Sequence, residues 1–228
     1  MRVASLHLLS IVFISLPAMS PVWAQAEADK IQQITSQLRS HVLLSGEFKQ
    51  TRKLQGFSRS IESTGIFTYW QGRGLYWETQ QPFFQASTFI QDGVIDWRKS
   101  DGLAGILIDD NPVLKNISSI IVPLVGGDLA KLDNTFDSSW VFDDAGWSMA
   151  LDPDSFMVKK AIDRIEVSGG QFIRALVIST PGNDTTEITF LNMTSTDSPN
   201  RQQCEYFQVS DSDACGDVSE TVGLIQPN

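Results

Sequence analysis

The chain has 228 residues, 42% of them hydrophobic, and a formal net charge of −10 at pH 7. This length is enough for one domain with a sizeable core. The excess of acidic residues argues against nucleic acid and against anionic membrane surfaces as partners, because both carry negative charge.

Residues 1–24 predict an export signal that is cleaved. Arg2 precedes an apolar run, residues 6–19, which is too short to span a bilayer. Val22 and Ala24 provide the small residues that a signal peptidase requires before its cut. The mature chain is therefore expected to begin at Gln25. Because that residue is not cysteine, we expect no lipid anchor and a protein free in solution.

Residues 26–43 predict an amphipathic helix. The apolar residues recur at spacings of three and four, which places them on one face: Ile31, Ile34, Leu38 and Val42. His41 stands beside this stripe and is interpreted as a partly covered surface histidine, not as a ligand.

Four or five strand-like runs follow the helix. They are rich in aromatic and β-branched residues, and turn-forming residues separate them: 46–53, 60–71, 75–79, 86–91 and 94–99. Asp92-Gly93 is the strongest short hairpin signal among these turns. Phe67 and Tyr69 share one face of their run, and Leu75 and Trp77 share one face of the next. The pattern predicts an antiparallel meander with an aromatic-rich face.

The hydrophobic period changes at residues 111–133, where Pro112 fits a first helical position. Pro123 and Gly126-Gly127 interrupt the pattern, which predicts two short helices or a helix with a flexible flap. One face of the segment is apolar: Leu114, Ile117, Ile120, Ile121 and Leu124. An apolar helix inserted between two half-sheets is well placed to cover an open mouth.

The strand pattern resumes after this insert, in runs 139–143, 146–151, 162–168, 172–179 and 187–193. Residues 152–155 resemble a helix start with a carboxylate as N-cap. Beyond Thr194 a polar, irregular tail is expected. The fold is predicted to be mainly β with some α: an incomplete antiparallel β-barrel, or strongly curved sheet, with an N-terminal helix and a short helical lid. The large side chains inside either fill such a barrel or line a cavity in it.

Cys204 and Cys215 lie in the polar tail, and an even cysteine count in an exported chain predicts a disulfide between them. A zinc site would need further ligands, and His41 is the only histidine outside the predicted signal. We therefore expect no metal site.

The sequence offers no set of residues for catalysis. It has no Gly-x-Ser-x-Gly elbow and no nucleophile with a nearby base. The acidic pairs Asp109-Asp110 and Asp143-Asp144 are adjacent in turns, where solvated carboxylates are the ordinary interpretation. We expect neither an enzyme nor a cofactor.

Residues 46–51, Gly-Glu-Phe-Lys-Gln-Thr after an amphipathic helix, resemble the opening of LolA, the periplasmic carrier of outer-membrane lipoproteins. The resemblance continues in the same order through several short motifs: Gly65-x-Phe67-x-Tyr69, Arg73, Leu75-Tyr76-Trp77, Gln81-Pro82, Asp92-Gly93 and Trp97. It covers most of the chain after the signal, and it is closest to the divergent LolA-like branch.

The resemblance implies a lipid-carrier domain over residues 25–195, followed by the tail, residues 196–228. It also implies a hydrophobic cavity that takes up acyl chains, lined by Phe48, Phe67, Tyr69, Leu75, Trp77, Phe89 and Trp97. The lid is implied to be the apolar face of residues 111–133. Arg73 is the arginine nearest to the one that, in classical carriers, hydrogen-bonds to the lid in the closed form.

The function implied is that of a monomeric periplasmic carrier that binds acyl chains of a lipoprotein or another lipid. It would accept this cargo from an inner-membrane exporter and pass it to an acceptor at the outer membrane. The alternative is a non-catalytic binding or scaffold module of the cell envelope that uses the sheet surface.

Overall fold

The computed structural model describes residues 22–91, 93–100, 102–108, 112–132, 134–209 and 215. Side chains are described for 25–91, 93–98, 119–132, 134–209 and 215. The chain divides into two compact units, Met1–Gln33 and Ile34–Asn228. Residues 1–21 of the predicted signal lie outside the described residues, so its cleavage stays a prediction. No described helix is both long enough and apolar enough to cross a membrane.

The first helix, α1, spans Val22–Arg39, so the helix predicted over residues 26–43 exists but ends earlier. The first strand already begins at Leu43, where the side chain is buried and the backbone pairs with two strands. This pairing determines the conformation of Leu43, because cross-strand hydrogen bonds and burial outweigh its place in the helical pattern. The predicted apolar stripe is confirmed at Leu38, which is buried, and at Ile34, which packs beside it.

In the described part of the chain, eleven strands form one antiparallel sheet. Their bounds are β1 Leu43–Lys53, β2 Ile61–Trp70, β3 Gly74–Gln81, β4 Gln85–Ile90, β5 Gly93–Ser100, β6 Gly102–Ile108, β7 Phe136–Asp143, β8 Gly146–Pro153, β9 Arg164–Gly169, β10 Ile173–Ser179 and β11 Thr185–Thr196. Their order is β6-β5-β4-β3-β2-β1-β11-β10-β9-β8-β7. The two half-sheets join where β1 pairs with β11. Within the described residues β6 and β7 are edge strands, so the predicted mainly β fold is confirmed and the sheet is not closed into a barrel.

Strand β6 was not predicted. It pairs antiparallel with β5, with Val94 opposite Ile108. Its sequence contains Gly102, Ala104 and Gly105, and residues this small weaken a strand signal. The strand forms because β5 offers a neighbouring edge with which its backbone can pair.

A single helix, α2, spans Pro112–Val125 between the two half-sheets, followed by a 3-10 turn at Leu129–Lys131. The prediction that Pro123 interrupts this helix was wrong. The helix continues to Val125, and its last carbonyls are satisfied in the following turn: the N–H of Gly126 donates to Val122 O at 2.9 Å, and that of Asp128 to Pro123 O at 2.9 Å.

Two further short helices lie within residues 134–209. Helix α3, Phe156–Lys159, is capped by Ser155, whose hydroxyl accepts from the N–H of Val158, so the predicted carboxylate cap was wrong. Helix α4, Arg201–Tyr206, lies in the tail that was predicted to be irregular. Asn200 and Gln203 form a capping box at its start, a sequence signal that was available. The predicted disulfide between Cys204 and Cys215 is present.

Buried side chains form two clusters, one on each face of the sheet, because successive side chains of a strand point to opposite faces. The α2-face cluster includes Leu44, Phe48, Phe67, Tyr69, Leu75, Leu124, Trp147, Leu176 and Phe190. The α4-face cluster consists of Leu43, Trp70, Tyr76, Ala86, Ile95, Trp97, Cys204, Tyr206 and Phe207.

Candidate functional site

Helix α2 packs on one face of the first half-sheet, against β3, β4 and β5. Leu124 is 1% exposed, and Val125 is also buried. Ile120, Ile121 and Val122 are partly buried against the α2-face cluster. Three of the five residues of the predicted apolar face, Ile120, Ile121 and Leu124, thus point into this cluster. The side chains of Leu114 and Ile117 lie outside the described residues.

Six of the seven predicted cavity residues come together on the α2 face of the sheet. Phe48, Phe67, Tyr69 and Leu75 are buried members of the α2-face cluster, and Trp77 and Phe89 are partly buried beside them. Cross-strand pairing explains the grouping, since Phe67 lies opposite Trp77, and Tyr69 and Phe89 both lie opposite Leu75.

Trp97, the seventh predicted cavity residue, lies on the opposite face of the sheet. There it packs edge-on against Tyr76, and its indole N–H donates to the Thr88 hydroxyl at 2.8 Å. Strand alternation explains this placement. Val94 pairs with Phe89, so Val94 and Asp96 share the α2 face and Trp97 points away from it.

The α2-face cluster contains a stack of aromatic rings, which lies beside the cavity described below and does not line it. The rings of Phe48 and Trp77 are stacked at 3.9 Å, and Phe190 approaches Phe67 edge-on at 5.2 Å. Gly65 makes the stack possible, because a side chain there would collide with the backbone of β3 and the ring of Phe48. Phe190 was not among the predicted residues. It is brought here by its pairing with Phe48 across β1 and β11, a contact that has no local signal.

A cavity of about 600 Å³ lies between α2 and the turns that join β2 to β3 and β4 to β5. Ile90, Val122 and Pro123 provide apolar wall, and Arg73 and Lys131 provide cations. The other lining residues are Tyr69, Gly72, Gly74, Gln91 and Ser119. The space is therefore amphipathic, and its volume lies within the range of about 300–1,000 Å³ typical of small-molecule sites.

Arg73 does not contact the helix as the predicted lid latch would. Its guanidinium lies over the ring of Trp70, 5.7 Å from the centroid. Among the described residues we find no hydrogen bond or ion pair from the Arg73 side chain to α2. The ion pairs near the end of α2 involve Asp128, whose carboxylate lies 3.7 Å from the guanidinium of Arg39 and 3.0 Å from the Nζ of Lys131.

Two glycines carry the chain away from α2 through a narrow space. A side chain at Gly126 would collide with the Tyr69 ring, and one at Gly127 with Leu38. Gly127 also has a φ of +68°, which only glycine adopts without strain. The pKa of Tyr69 is raised above its ordinary value by burial and then by the charge of Asp128, while Arg39 opposes the shift. Tyr69 therefore keeps its proton at neutral pH and can donate a hydrogen bond.

The opposite face carries a second aromatic contact with a different partner. The rings of Tyr76 and Tyr206 are stacked at 3.6 Å, and the Tyr76 hydroxyl donates to the Glu78 carboxylate. Burial raises the pKa of Tyr76, and the hydrogen bond to Glu78 adds to the shift. Both rings lie between the sheet and α4, so this contact attaches the tail.

His41 is partly buried, and its ring packs against Phe172 at 4.9 Å. Its Nδ1 lies 2.9 Å from the hydroxyl of Ser195.

No family model and no curated protein matches the chain. Among solved structures, a LolA superfamily protein from Nitrosomonas europaea matches 74% of this chain and 94% of its own, at 6% identity and a TM-score of 0.37. The lipoprotein LppX of Mycobacterium tuberculosis matches 74% of this chain and 95% of its own, at 10% identity and a TM-score of 0.36. MucB, in its complex with MucA from Pseudomonas aeruginosa, matches 78% of this chain and 60% of the other, at 12% identity and a TM-score of 0.41.

LolA superfamily structures are thus among the matches, as the motif resemblance predicts. At these identities and TM-scores the matches assign neither family membership nor function.

Proposed function

We propose that the chain is a periplasmic carrier that binds acyl chains of a lipoprotein or another lipid in the space covered by α2. The observation that carries this proposal is the position of α2. An amphipathic helix inserted between two half-sheets packs apolar side chains on the α2-face cluster and borders an amphipathic cavity of about 600 Å³. The motif resemblance to LolA-like carriers supports the same function.

Reversible binding of an acyl chain requires that contacts within the protein compete with the guest. Each buried methylene contributes about 0.8 kcal/mol, so one long chain contributes on the order of 12 kcal/mol. Several chains would bind more tightly than reversible delivery permits. When the cavity is empty, Leu124 and its neighbours on α2 occupy apolar surface that the guest would otherwise cover. The guest must displace these contacts, and its net affinity is lower by their free energy.

The proposal includes the route of the cargo. The predicted export signal leads the chain to the periplasm, where an inner-membrane exporter supplies the lipid and an outer-membrane acceptor receives it. No catalysis is required, because transfer needs only a difference in affinity between successive partners.

Native mass spectrometry and lipid extraction of the protein purified from its own cell envelope test the proposal directly. We expect acyl-chain adducts that survive gentle purification. A folded protein that carries no lipid, and takes none up from detergent-free dispersions, would contradict it.

Trp77→Glu is the variant that tests this proposal, since a carboxylate in the aromatic stack opposes entry of hydrocarbon. We expect loss of fatty-acid uptake, measured by displacement of a fluorescent analogue, with circular dichroism confirming the fold. Phe83→Glu is the control, because Phe83 is 82% exposed in the turn between β3 and β4.

Should Trp77→Glu fail to fold, Val122→Trp fills the cavity without adding a charge. Unchanged uptake in a folded cavity variant would count against the site.

A second candidate function is a binding or scaffold module of the cell envelope. The observation in its favour is that Phe57, Ile61 and Phe83 are exposed at one end of the sheet, in and beside the turns after β1 and β3. A scaffold would bind its partner through such side chains and would show no fatty-acid uptake. The uptake measurement therefore separates the two candidates.

A further inference from the structure

The cavity beside α2 combines an apolar wall with a positively charged rim. Val122 and Pro123 of α2 and Ile90 of the sheet line it together with Arg73 and Lys131, and the Arg73 guanidinium also lies over the ring of Trp70. Both cations belong to mostly exposed residues, so they retain their water while the interior is apolar. A ligand that fits both parts is hydrocarbon at one end and negatively charged at the other.

The two cations contrast with the chain as a whole, which has a net charge of −10. Arg73 has no carboxylate partner among the described residues. Lys131 shares Asp128 with Arg39, so one carboxylate faces two cations. Of the described residues that line the cavity, the charged ones are the two cations Arg73 and Lys131. Because an acidic protein repels anions at long range, an anion can bind here only where positive charge is in local excess.

Tyr69 adds a hydrogen-bond donor deeper in the same cavity. Its residue lines the space, and no described residue accepts from its hydroxyl. Because the phenol stays protonated, it can donate to an oxygen of a bound head group. Arg73 and Lys131 can thus bind the anionic head, and the Tyr69 hydroxyl can donate to an ester or carboxyl oxygen of the same ligand.

We propose that this cavity selects amphiphiles with an anionic head, a carboxylate or a phosphate, which Arg73 and Lys131 bind at the opening while the hydrocarbon chain runs inward beside α2. This inference rests on the proposed carrier function and adds the class of cargo. The role predicted for Arg73 thereby changes from closing the lid to recognising the head group.

The test uses three ligands of equal chain length that differ only in the head: palmitate, hexadecyl phosphate and hexadecanol. Each displaces a neutral naphthylamine dye from the full-length mature protein, and inorganic phosphate serves as a ligand without a chain. We expect both anions to bind roughly three- to tenfold more tightly than the alcohol, the range for charge-assisted contacts at an exposed rim. The difference should shrink at high salt, because exposed charges are screened.

Arg73→Gln and Lys131→Gln should each weaken the two anionic ligands and leave hexadecanol unchanged. Arg59→Gln is the matched control, an exposed cation in the turn between β1 and β2 at the other end of the sheet. Removing a cation there should change none of the affinities. A merely structural role of Arg73 would lower all three affinities together, which the hexadecanol measurement would reveal.

The outcomes separate this inference from the carrier proposal. Equal affinity for all three amphiphiles, or no difference between the Arg73→Gln and Arg59→Gln proteins, would overturn the head-group assignment and leave the carrier intact. Failure of every chain-bearing ligand to displace the dye would overturn the carrier proposal. Binding of inorganic phosphate as tightly as hexadecyl phosphate would show a simple anion site and overturn the amphiphile assignment.

Discussion

On one face of the sheet the cover is α2, whose apolar side chains contact the α2-face cluster and whose end is held by the ion pairs of Asp128. On the other face the cover is α4, held by the stack of Tyr206 on Tyr76 and by a hydrogen bond from the Thr88 hydroxyl to the Tyr206 carbonyl at 2.7 Å. The first set of contacts is mostly apolar. The second includes a directional hydrogen bond and a parallel ring stack.

This difference matters because a hydrocarbon guest can replace apolar contacts but not a stacked pair with a defined hydrogen bond. Displacing α2 exposes surface that the guest then covers, so the net cost is small. Displacing α4 would leave Tyr76 and Thr88 without their partners. The same sheet therefore has one face suited to exchange and one suited to stability.

The largest expected effect comes from truncating one buried aliphatic residue on each face. Leu124→Ala and Ile95→Ala remove side chains that are 1% and 2% exposed, and each should lower the free energy of unfolding by about 2–5 kcal/mol. Only Leu124→Ala should also raise the affinity for a fatty acid, because it weakens the contacts that compete with the guest. Urea unfolding and dye displacement measure the two quantities. Equal affinities in both variants would remove the functional distinction between the faces.

A smaller effect is expected at alkaline pH on the α4 face. The pKa of Tyr206 is raised from 10.0 to about 12, mainly by burial and further by the charge of Glu78. Because the folded pKa is the higher one, this contribution to stability is complete below pH 10 and is lost as pH rises toward 12. At pH 11 the loss should be about 1 kcal/mol. Tyr76 shifts in the same direction and adds to it.

Urea unfolding midpoints of the wild type and of Tyr206→Phe check this prediction. They are measured from pH 9 to pH 11, a range that brackets the ordinary tyrosine pKa of about 10. The phenylalanine keeps the stack without the titrating hydroxyl and should reduce the alkaline loss. An identical pH dependence in the two proteins would contradict the assignment.

The smallest effect is expected at Asp128, on the α2 face. Its carboxylate is 20% exposed, and both of its cationic partners are more exposed. Asp128→Asn should therefore lower the free energy of unfolding by less than about 1 kcal/mol. High salt should remove the difference between wild type and variant, because it screens the ion pairs of the wild type. A larger loss that persists in high salt would mean that α2 is held more firmly than its contacts indicate.

Local patterns in the sequence were sufficient for most elements. Alternation of apolar and polar residues between turn signals located β2 to β5 to within about two residues, within the usual error of strand boundaries. It also placed Phe67 and Tyr69 on one face and predicted the helix between the half-sheets. Such signals are local because they reflect side-chain direction and backbone preference within a few residues.

What depended on distant residues was not predicted. Strand β6 forms on the edge of β5 despite a weak sequence pattern, and the attachment of α4 to the sheet depends on Tyr76, which lies far from it in the chain. Counting the alternation of side chains from Asp92-Gly93 along β5 places Trp97 on the α4 face. Its assignment to the cavity was therefore an avoidable error.

The sequence by itself determined the antiparallel strands, the inserted amphipathic helix and most of the residues beneath it, because periodicity and turn preference are properties of short segments. Only the tertiary structure decided that β1 pairs with β11, and this pairing brings Phe190 to Phe48. Only the tertiary structure brought Arg39 to Asp128 and placed Arg73 at the cavity. These contacts arise from the packing of segments far apart in the chain, and no short pattern specifies which distant surface a side chain will meet.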